Sequence, residues 1–141
     1  MSHPILDIAS RRAFLLDGAM GTEIQKRALT SADYDGRDGC NELLVRTRPD
    51  VILDIHRSYF AAGADAVETD SFGSNAIVLR EYGIEARVRE LNVAAARLAR
   101  QAADAFATPD RPRWVSGSVG PGTKLPSLGQ VTFGALYAAF R

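Results

Sequence analysis

The sequence is poor in the side chains that bind transition metals. Its 141 residues include one cysteine, Cys40, and two histidines, His3 and His56. A closed zinc site takes about four protein ligands and a catalytic one about three, and no Cys-x-x-Cys or His-x-x-x-His pair is present. We therefore expect no complete transition-metal site within these residues. A lone cysteine also excludes an internal disulfide and suits a reducing compartment, which predicts a cytoplasmic protein.

An excess of one charge and a long apolar run are absent as well. Seventeen basic residues balance seventeen acidic ones, so nothing indicates capture by nucleic acid or by an anionic membrane. No apolar run approaches the roughly 20 residues that cross a bilayer. The first residues, MSHPILDIASRR, lack the charged start and apolar stretch of a secretory signal. The composition is that of one globular domain with a modest core.

What the sequence does contain is an alternation of strand-like and helix-like segments. Three short apolar segments predict strands: 12–16, 66–73 and 113–121. The first reads as a strand that is buried on both faces. A short helix is predicted after Gly21, and three longer ones follow: from Pro49 to Gly63, over 84–106, and through the tail from residue 131. Pro49 suits a first helical position, and Gly63 suits a left-handed C-terminal end.

This alternation is typical of parallel βαβ units in an α/β fold. Three parallel strands close no barrel, and the last predicted helix reaches Arg141 without a capping glycine or proline. The pattern therefore predicts the amino-terminal part of a larger α/β domain over residues 12–141, preceded by an extension at residues 1–11.

Ligands of parallel α/β folds bind at the carboxyl ends of the strands. Each candidate strand ends in small or polar residues: Asp17-Gly18-Ala19, Thr69-Asp70-Ser71 and Ser118-Val119-Gly120-Pro121. Asp17 can hold a ligand ammonium group by a charge-assisted hydrogen bond, and Gly18 lets a ligand approach the main chain. Alternatively, Asp17 only caps a turn, and Glu68 and Asp70 only pair with neighbouring arginines.

Other chemically active side chains give weaker signals. His56 lies within a predicted helix and is expected to be partly exposed. Cys40 lies in a polar loop with no histidine nearby, which disfavours a nucleophilic role. The segment GSVGPGTKL (117–125) is not a phosphate loop, because Thr123 separates the glycine from the lysine that would have to follow it directly.

Four segments taken in order carry a resemblance to a known family. They are LLDGAMGTEIQKR, DYDGRDGCNELL, TRPDVILDIHRSYFAAGADAVETDSFGSN and GSVGPGTKLPSLG. Together they resemble the amino-terminal end of the homocysteine-binding module of cobalamin-dependent methionine synthases, from about residue 12 onward. The betaine- and S-methylmethionine-dependent homocysteine methyltransferases are similar too, but the GAMGTEIQ and GCNELL forms favour the methionine synthases.

The resemblance implies about three βα units of a truncated (β/α)8 TIM barrel that binds homocysteine at its carboxyl rim. In the family, a zinc ion held by three cysteines activates the homocysteine thiol. Methylcobalamin supplies the methyl group, and 5-methyltetrahydrofolate recharges the cobalamin on other modules. The family's zinc cysteines lie in later strands and Cys40 matches none of them, so we expect this chain alone to be inactive.

By motif, the resemblance also implies which residues bind the substrate. Asp17 would face the substrate amino group, Gly18 and Ala19 would present backbone, and Asp70 and Ser71 would line the same pocket. The family often has asparagine at position 70, so a second carboxylate changes the charge of the pocket.

Two alternatives stay open at this stage. One is a fragment of a cobalamin-independent homocysteine methyltransferase of the betaine or S-methylmethionine type. The other is a small complete α/β binding protein without catalysis, which would unfold cooperatively as a monomer.

Overall fold

The computed structural model describes residues 4–141. Residues 1–3, which include His3 and the start of the predicted extension, lie outside the described residues. The helices are α1 (Pro4–Ala9), α2 (Met20–Gln25), α3 (Leu44–Thr47), α4 (Pro49–Ala62), α5 (Ala76–Arg80), α6 (Val88–Phe106) and α7 (Phe133–Ala139). The strands are β1 (Ala66–Glu68) and β2 (Trp114–Ser116). Short 3-10 helices occupy Ser31–Tyr34, Asn41–Leu43, Glu85–Arg87 and Pro126–Leu128.

The sheet is parallel, as the alternating pattern predicts. β1 pairs with β2 in the register Ala66 to Trp114, and α6 connects the two strands in sequence. The predicted strand at 12–16 is reduced to one parallel bridge, between Leu16 and Ala66. The amide of Asp17 extends this bridge by donating to the Ala66 carbonyl oxygen at 3.0 Å. The three segments therefore lie side by side with β1 in the middle.

The expectation that segment 12–16 is buried on both faces is wrong. Leu15 and Leu16 are 52% and 54% exposed, because the segment's one bridge among the described residues is to β1. Its attachment is partly ionic. The buried carboxylate of Asp65 accepts two hydrogen bonds from the Arg12 guanidinium, at 2.6 and 2.8 Å, and one from the Leu15 amide at 3.0 Å.

Helix α4 confirms the prediction from its flanking residues. It begins at Pro49 and ends at Ala62, and Gly63 follows with a φ of 109°. The expectation for His56 is wrong, however, because this side chain is fully buried. α4 packs against α2, α3, α6 and β1, so its covered surface is wider than one apolar stripe. Burial lowers the pKa of His56 to about 4.

Helix α6 packs a face of small side chains against α4 and the sheet. Its fully buried residues are Leu91, Ala95, Ala99, Ala102 and Ala103. Four of the five are alanines, so the helix axis can lie close to its neighbours. Ala105, which the periodicity assigns to the same face, is exposed.

The remaining predicted helix is present but contributes little to the core. Helix α7 has no buried residue, and its Phe133 and Tyr137 side chains are 75% and 60% exposed. Across residues 4–141, every helix is too short or too polar to traverse a lipid bilayer.

Candidate functional site

A cleft of about 440 Å³ lies where the first segment, β1 and β2 end. It is lined by Asp17, Gly18, Ala19 and Asp70 of the predicted set. The structure therefore brings together side chains that are about 50 residues apart in sequence, because the carboxyl ends of parallel strands share one edge of a sheet. The short Asn41–Leu43 helix closes the cleft from another side, through Asn41 and Glu42.

Asp17 joins the ends of two neighbouring strands. Its two carboxylate oxygens lie 3.1 and 3.0 Å from the Glu68 amide nitrogen, which donates to them. The side chain is half-buried, and burial raises its pKa to about 6 although the Glu68 hydrogen bond opposes that rise. Asp17 is therefore mostly ionised at neutral pH, and its negative charge faces the cleft.

Gly18 and Ala19 present backbone at the mouth of the cleft. Both are exposed, and a Cβ atom at Gly18 would lie 3.2 Å from the Tyr59 hydroxyl oxygen. That hydroxyl donates to the Ala19 carbonyl oxygen at 3.5 Å. Tyr59 of α4 therefore packs against the Gly18-Ala19 turn, and glycine suits position 18 because the Tyr59 ring lies so close to it.

Asp70 is a buried carboxyl group that lacks a full set of partners. It is 7% exposed, and its Oδ2 atom has no hydrogen-bond partner among the described residues. Burial, and then the charge of Glu42, raise its pKa to about 8. Glu42 does have a donor, since its Oε1 accepts from the Gly73 amide at 2.7 Å. At neutral pH we therefore expect Asp70 to be mostly protonated.

Ser71 lies next to the cleft and is not part of its lining. Its hydroxyl donates to the Ser118 carbonyl oxygen at 2.9 Å and lies 2.6 Å from the Thr69 hydroxyl. The Ser118 amide in turn donates to the Thr69 hydroxyl at 3.0 Å. These bonds hold the ends of β1 and β2 together, so Ser71 shapes the rim through Thr69 and Ser118.

Glu68 and Phe72 complete the rim. The exposed Glu68 carboxylate accepts a hydrogen bond from the Ser118 hydroxyl at 3.0 Å, whereas the sequence suggested an arginine partner. Phe72 lies directly against Gly120, because a Cβ at position 120 would be 2.6 Å from the Phe72 ring and 2.7 Å from the Phe72 carbonyl oxygen. A glycine is thus required where the third segment passes the ring.

Sequence reasoning missed several residues of this site. Asn41, Glu42 and Phe72 line the cleft, but the sequence analysis did not single them out. The GCNELL motif contains the first two, so weighing that motif residue by residue would have found them. Ser118, which begins the third predicted strand end, also lines the cleft.

The described residues do not fit a zinc site. Between residues 4 and 141, no group of three or more histidine, cysteine, aspartate or glutamate side chains is arranged to hold a metal ion. Cys40 is fully buried, and burial raises the pKa of its thiol to about 11. A thiol of this kind is neither a ready metal ligand nor a ready nucleophile at neutral pH.

Comparisons with known proteins show which protein family this chain resembles. The sequence model described as homocysteine S-methyltransferase matches residues 14–141. The methionine synthases of Mycobacterium tuberculosis and Mycobacterium leprae are 50% and 47% identical over 136 residues. That alignment covers 96% of this chain and 11% of each relative.

Solved structures give a similar result. The oxidized form of the homocysteine methyltransferase MmuM from Escherichia coli matches with a TM-score of 0.70 and 27% identity, and the metallated form with 0.69 and 28%. These matches cover 97% and 96% of this chain and 44% of the MmuM chain. The chain thus spans less than half the length of these relatives.

Proposed function

Because the chain belongs to the homocysteine S-methyltransferase family, we propose that residues 12–141 form about three βα units of a (β/α)8 barrel. The parallel arrangement of the first segment, β1 and β2 supports this proposal, since all strands of such a barrel are parallel. Residues 1–11 then precede the barrel as an extension, whose helix α1 has no buried residue.

The proposed parent reaction is methyl transfer to the homocysteine sulfur, which forms methionine. The 50% identity to a methionine synthase supports methylcobalamin as the donor, recharged by 5-methyltetrahydrofolate on other modules. The lower identity to MmuM makes a cobalamin-independent methyltransferase the second candidate. We place the reaction in the cytoplasm, in keeping with the buried free thiol of Cys40.

The contribution of this chain, in our proposal, is recognition of the amino acid and not activation of its sulfur. One of the similar MmuM structures is a metallated form, but residues 4–141 of this chain do not fit a zinc site, so we assign no metal-dependent step to them. What they supply is a rim of strand ends and turns that binds and orients a small zwitterion.

The observation that carries this proposal is the charge of the cleft. Four carboxyl groups line it, those of Asp17, Glu42, Glu68 and Asp70, and none of its described lining residues is basic. A ligand ammonium group is therefore favoured there, whereas an anion without a positive charge is not. Asp17 is the main anchor, because it is mostly ionised and its charge-assisted hydrogen bonds are stronger than neutral ones.

Calorimetric titration with L-homocysteine tests the role of Asp17. The D17N substitution keeps the shape of the side chain and removes its charge, and a lost charge-assisted hydrogen bond is worth about 1.5–3 kcal/mol. We therefore expect the dissociation constant to rise roughly 10- to 150-fold. The matched control is D54N, since Asp54 is an exposed residue of α4 that lies outside the cleft and pairs with Arg27.

A second ligand separates recognition of the ammonium group from general damage. 4-Mercaptobutyrate has the carbon chain, thiol and carboxylate of homocysteine but lacks the amino group. It should bind the unmodified protein weakly, and D17N should change that binding little. Equal losses for both ligands in D17N, or no loss for homocysteine, would refute the assignment.

A further inference from the structure

The buried end of the cleft contains a hydrogen-bonding atom that the proposed function has not yet used. Asp70 Oδ2 is buried without a partner among the described residues, and Asp70 lines the cleft. A buried polar atom without a partner is costly. An atom of this kind in a ligand cleft is a candidate for a contact that forms only when the ligand is bound.

The groups around Asp70 determine its protonation. Glu42 faces it from the Asn41–Leu43 helix, and its charge opposes ionisation of Asp70. Tyr34 and Cys40 are its other titratable neighbours, and the pKa of each is raised by burial first and then by nearby carboxylates that include Asp70. No described basic side chain lines the cleft, so no cation of the lining stabilises a negative charge on Asp70.

The hydrogen bonds distinguish the two carboxyl groups. Glu42 Oε1 accepts from the Gly73 amide at 2.7 Å. Asp70 Oδ2 receives no such donor. A buried carboxylate without a donor is disfavoured, so burial and the absence of a donor both favour a proton on Asp70.

We propose that Asp70 is a neutral carboxylic acid in the working protein, and that its Oδ2–H group donates a hydrogen bond to the α-carboxylate of the bound amino acid. This inference rests on the proposed function. It gives the cleft complementary contacts for a zwitterion: ionised Asp17 for the ammonium group and a neutral acid for the carboxylate. It also explains how an acidic cleft can accept a carboxylate, since a protonated acid is a donor and not a repelling charge.

The test compares the unmodified protein, in the form in which the cell produces it, with the D70N variant of the same protein. Asparagine is isosteric and keeps a donor at this position but does not titrate. The ligand is L-methionine, a thioether amino acid without a titrating thiol, and the readout is the ratio of the two dissociation constants. Any ionisation of the ligand itself cancels in that ratio.

We divide the dissociation constant of the unmodified protein by that of D70N. This ratio should be near one at about pH 6.5 and rise roughly tenfold at about pH 9, where D70N binds more tightly. The rise follows because the pKa of Asp70 is about 8, so that only about a tenth of Asp70 is still protonated one pH unit above it. A ratio that does not change with pH would overturn the inference. So would weaker binding by D70N at every pH, because an ionised Asp70 would then be the ligand's partner.

An infrared measurement keeps the inference separate from the proposed function. A protonated carboxylic acid has a carbonyl band that a carboxylate lacks. The unmodified protein should show this band at about pH 7.5, where Asp17 with its pKa of about 6 is ionised and Asp70 with its pKa of about 8 is mostly protonated. The band should be lost above about pH 9. D70N should lack the band at both pH values. Binding of L-methionine without the band would overturn this inference alone, whereas the band without any binding would overturn the proposed function and the donor role with it.

Discussion

Replacement of Asp17 by asparagine should stabilise the fold at neutral pH while it weakens ligand binding. Burial raises the pKa of Asp17 from its ordinary 3.8 to about 6. Between these values the folded chain binds more protons than the unfolded chain, so stability falls as the pH rises through this range. Asparagine resembles the protonated acid in shape and cannot ionise. The variant therefore keeps the stability that the unmodified protein loses.

The magnitude follows from the size of the pKa change. A rise of about 2 units corresponds to roughly 3 kcal/mol, at about 1.4 kcal/mol per unit. Asp17 is only half-buried, and solvent screens part of this effect, so we halve it to about 1.5 kcal/mol. The advantage of D17N should reach that value at about pH 7.5 and shrink to a few tenths of a kcal/mol at about pH 4.

Urea unfolding followed by circular dichroism measures the two free energies of unfolding at each pH. Asp70 and His56 titrate in both proteins, so their contributions cancel in the difference. The control variant D54N changes an exposed side chain of α4 and should alter the free energy of unfolding by less than about 0.5 kcal/mol. The reasoning would be refuted if D17N had the same effect at both pH values, or a larger advantage at the acidic one.

Two further substitutions test the packing that supports the site. Asp65→Ala should lower the free energy of unfolding, measured with urea, by about 2–4 kcal/mol, because the buried Asp65 carboxylate accepts three hydrogen bonds that the variant loses. The control Asp104→Ala changes an exposed residue of α6 and should lower this free energy by less than about 0.5 kcal/mol. His56→Leu should raise the melting temperature, since both ring nitrogens are buried without partners among residues 4–141. The pKa of His56 is lowered to about 4, so the unmodified protein loses stability as the pH falls from 6.5 toward that value, whereas the leucine variant does not. The gain in stability of His56→Leu over the unmodified protein should therefore grow on acidification. A smaller advantage at about pH 5 than at about pH 7.5 would contradict this account of His56.

Sequence patterns predicted the long helices better than the strands. Pro49 and Gly63 mark the two ends of α4 because each has a backbone preference of its own, whatever packs around it. The exposure of Leu15 and Leu16 depends on which neighbours cover them, and an apolar run does not specify those neighbours. His56 was mispredicted for a related reason, since its burial results from several elements that meet on α4.

The candidate site was predictable where it follows from topology alone. Asp17 comes directly after one strand-like segment and Asp70 lies near the carboxyl end of another, and parallel strands place such residues at one edge. Glu42 lies in a loop and short-helix region with no periodic signal, and only the folded chain brings it next to Asp70. The protonation of Asp70 depends on that contact, so it could not be predicted from the sequence.

The alanine face of α6 has a consequence for the rigidity of the rim. Alanine has no side-chain rotamers to lose on burial, so packing this face carries little conformational entropy cost. Ala99, Ala102 and Ala103, which pack with Val67 of β1, are fully enclosed and have no rotamer that could rearrange to absorb a displacement. A movement of β1 relative to this part of α6 would therefore open a gap or cause a clash. We expect this close packing to limit movement of the strand that carries the rim.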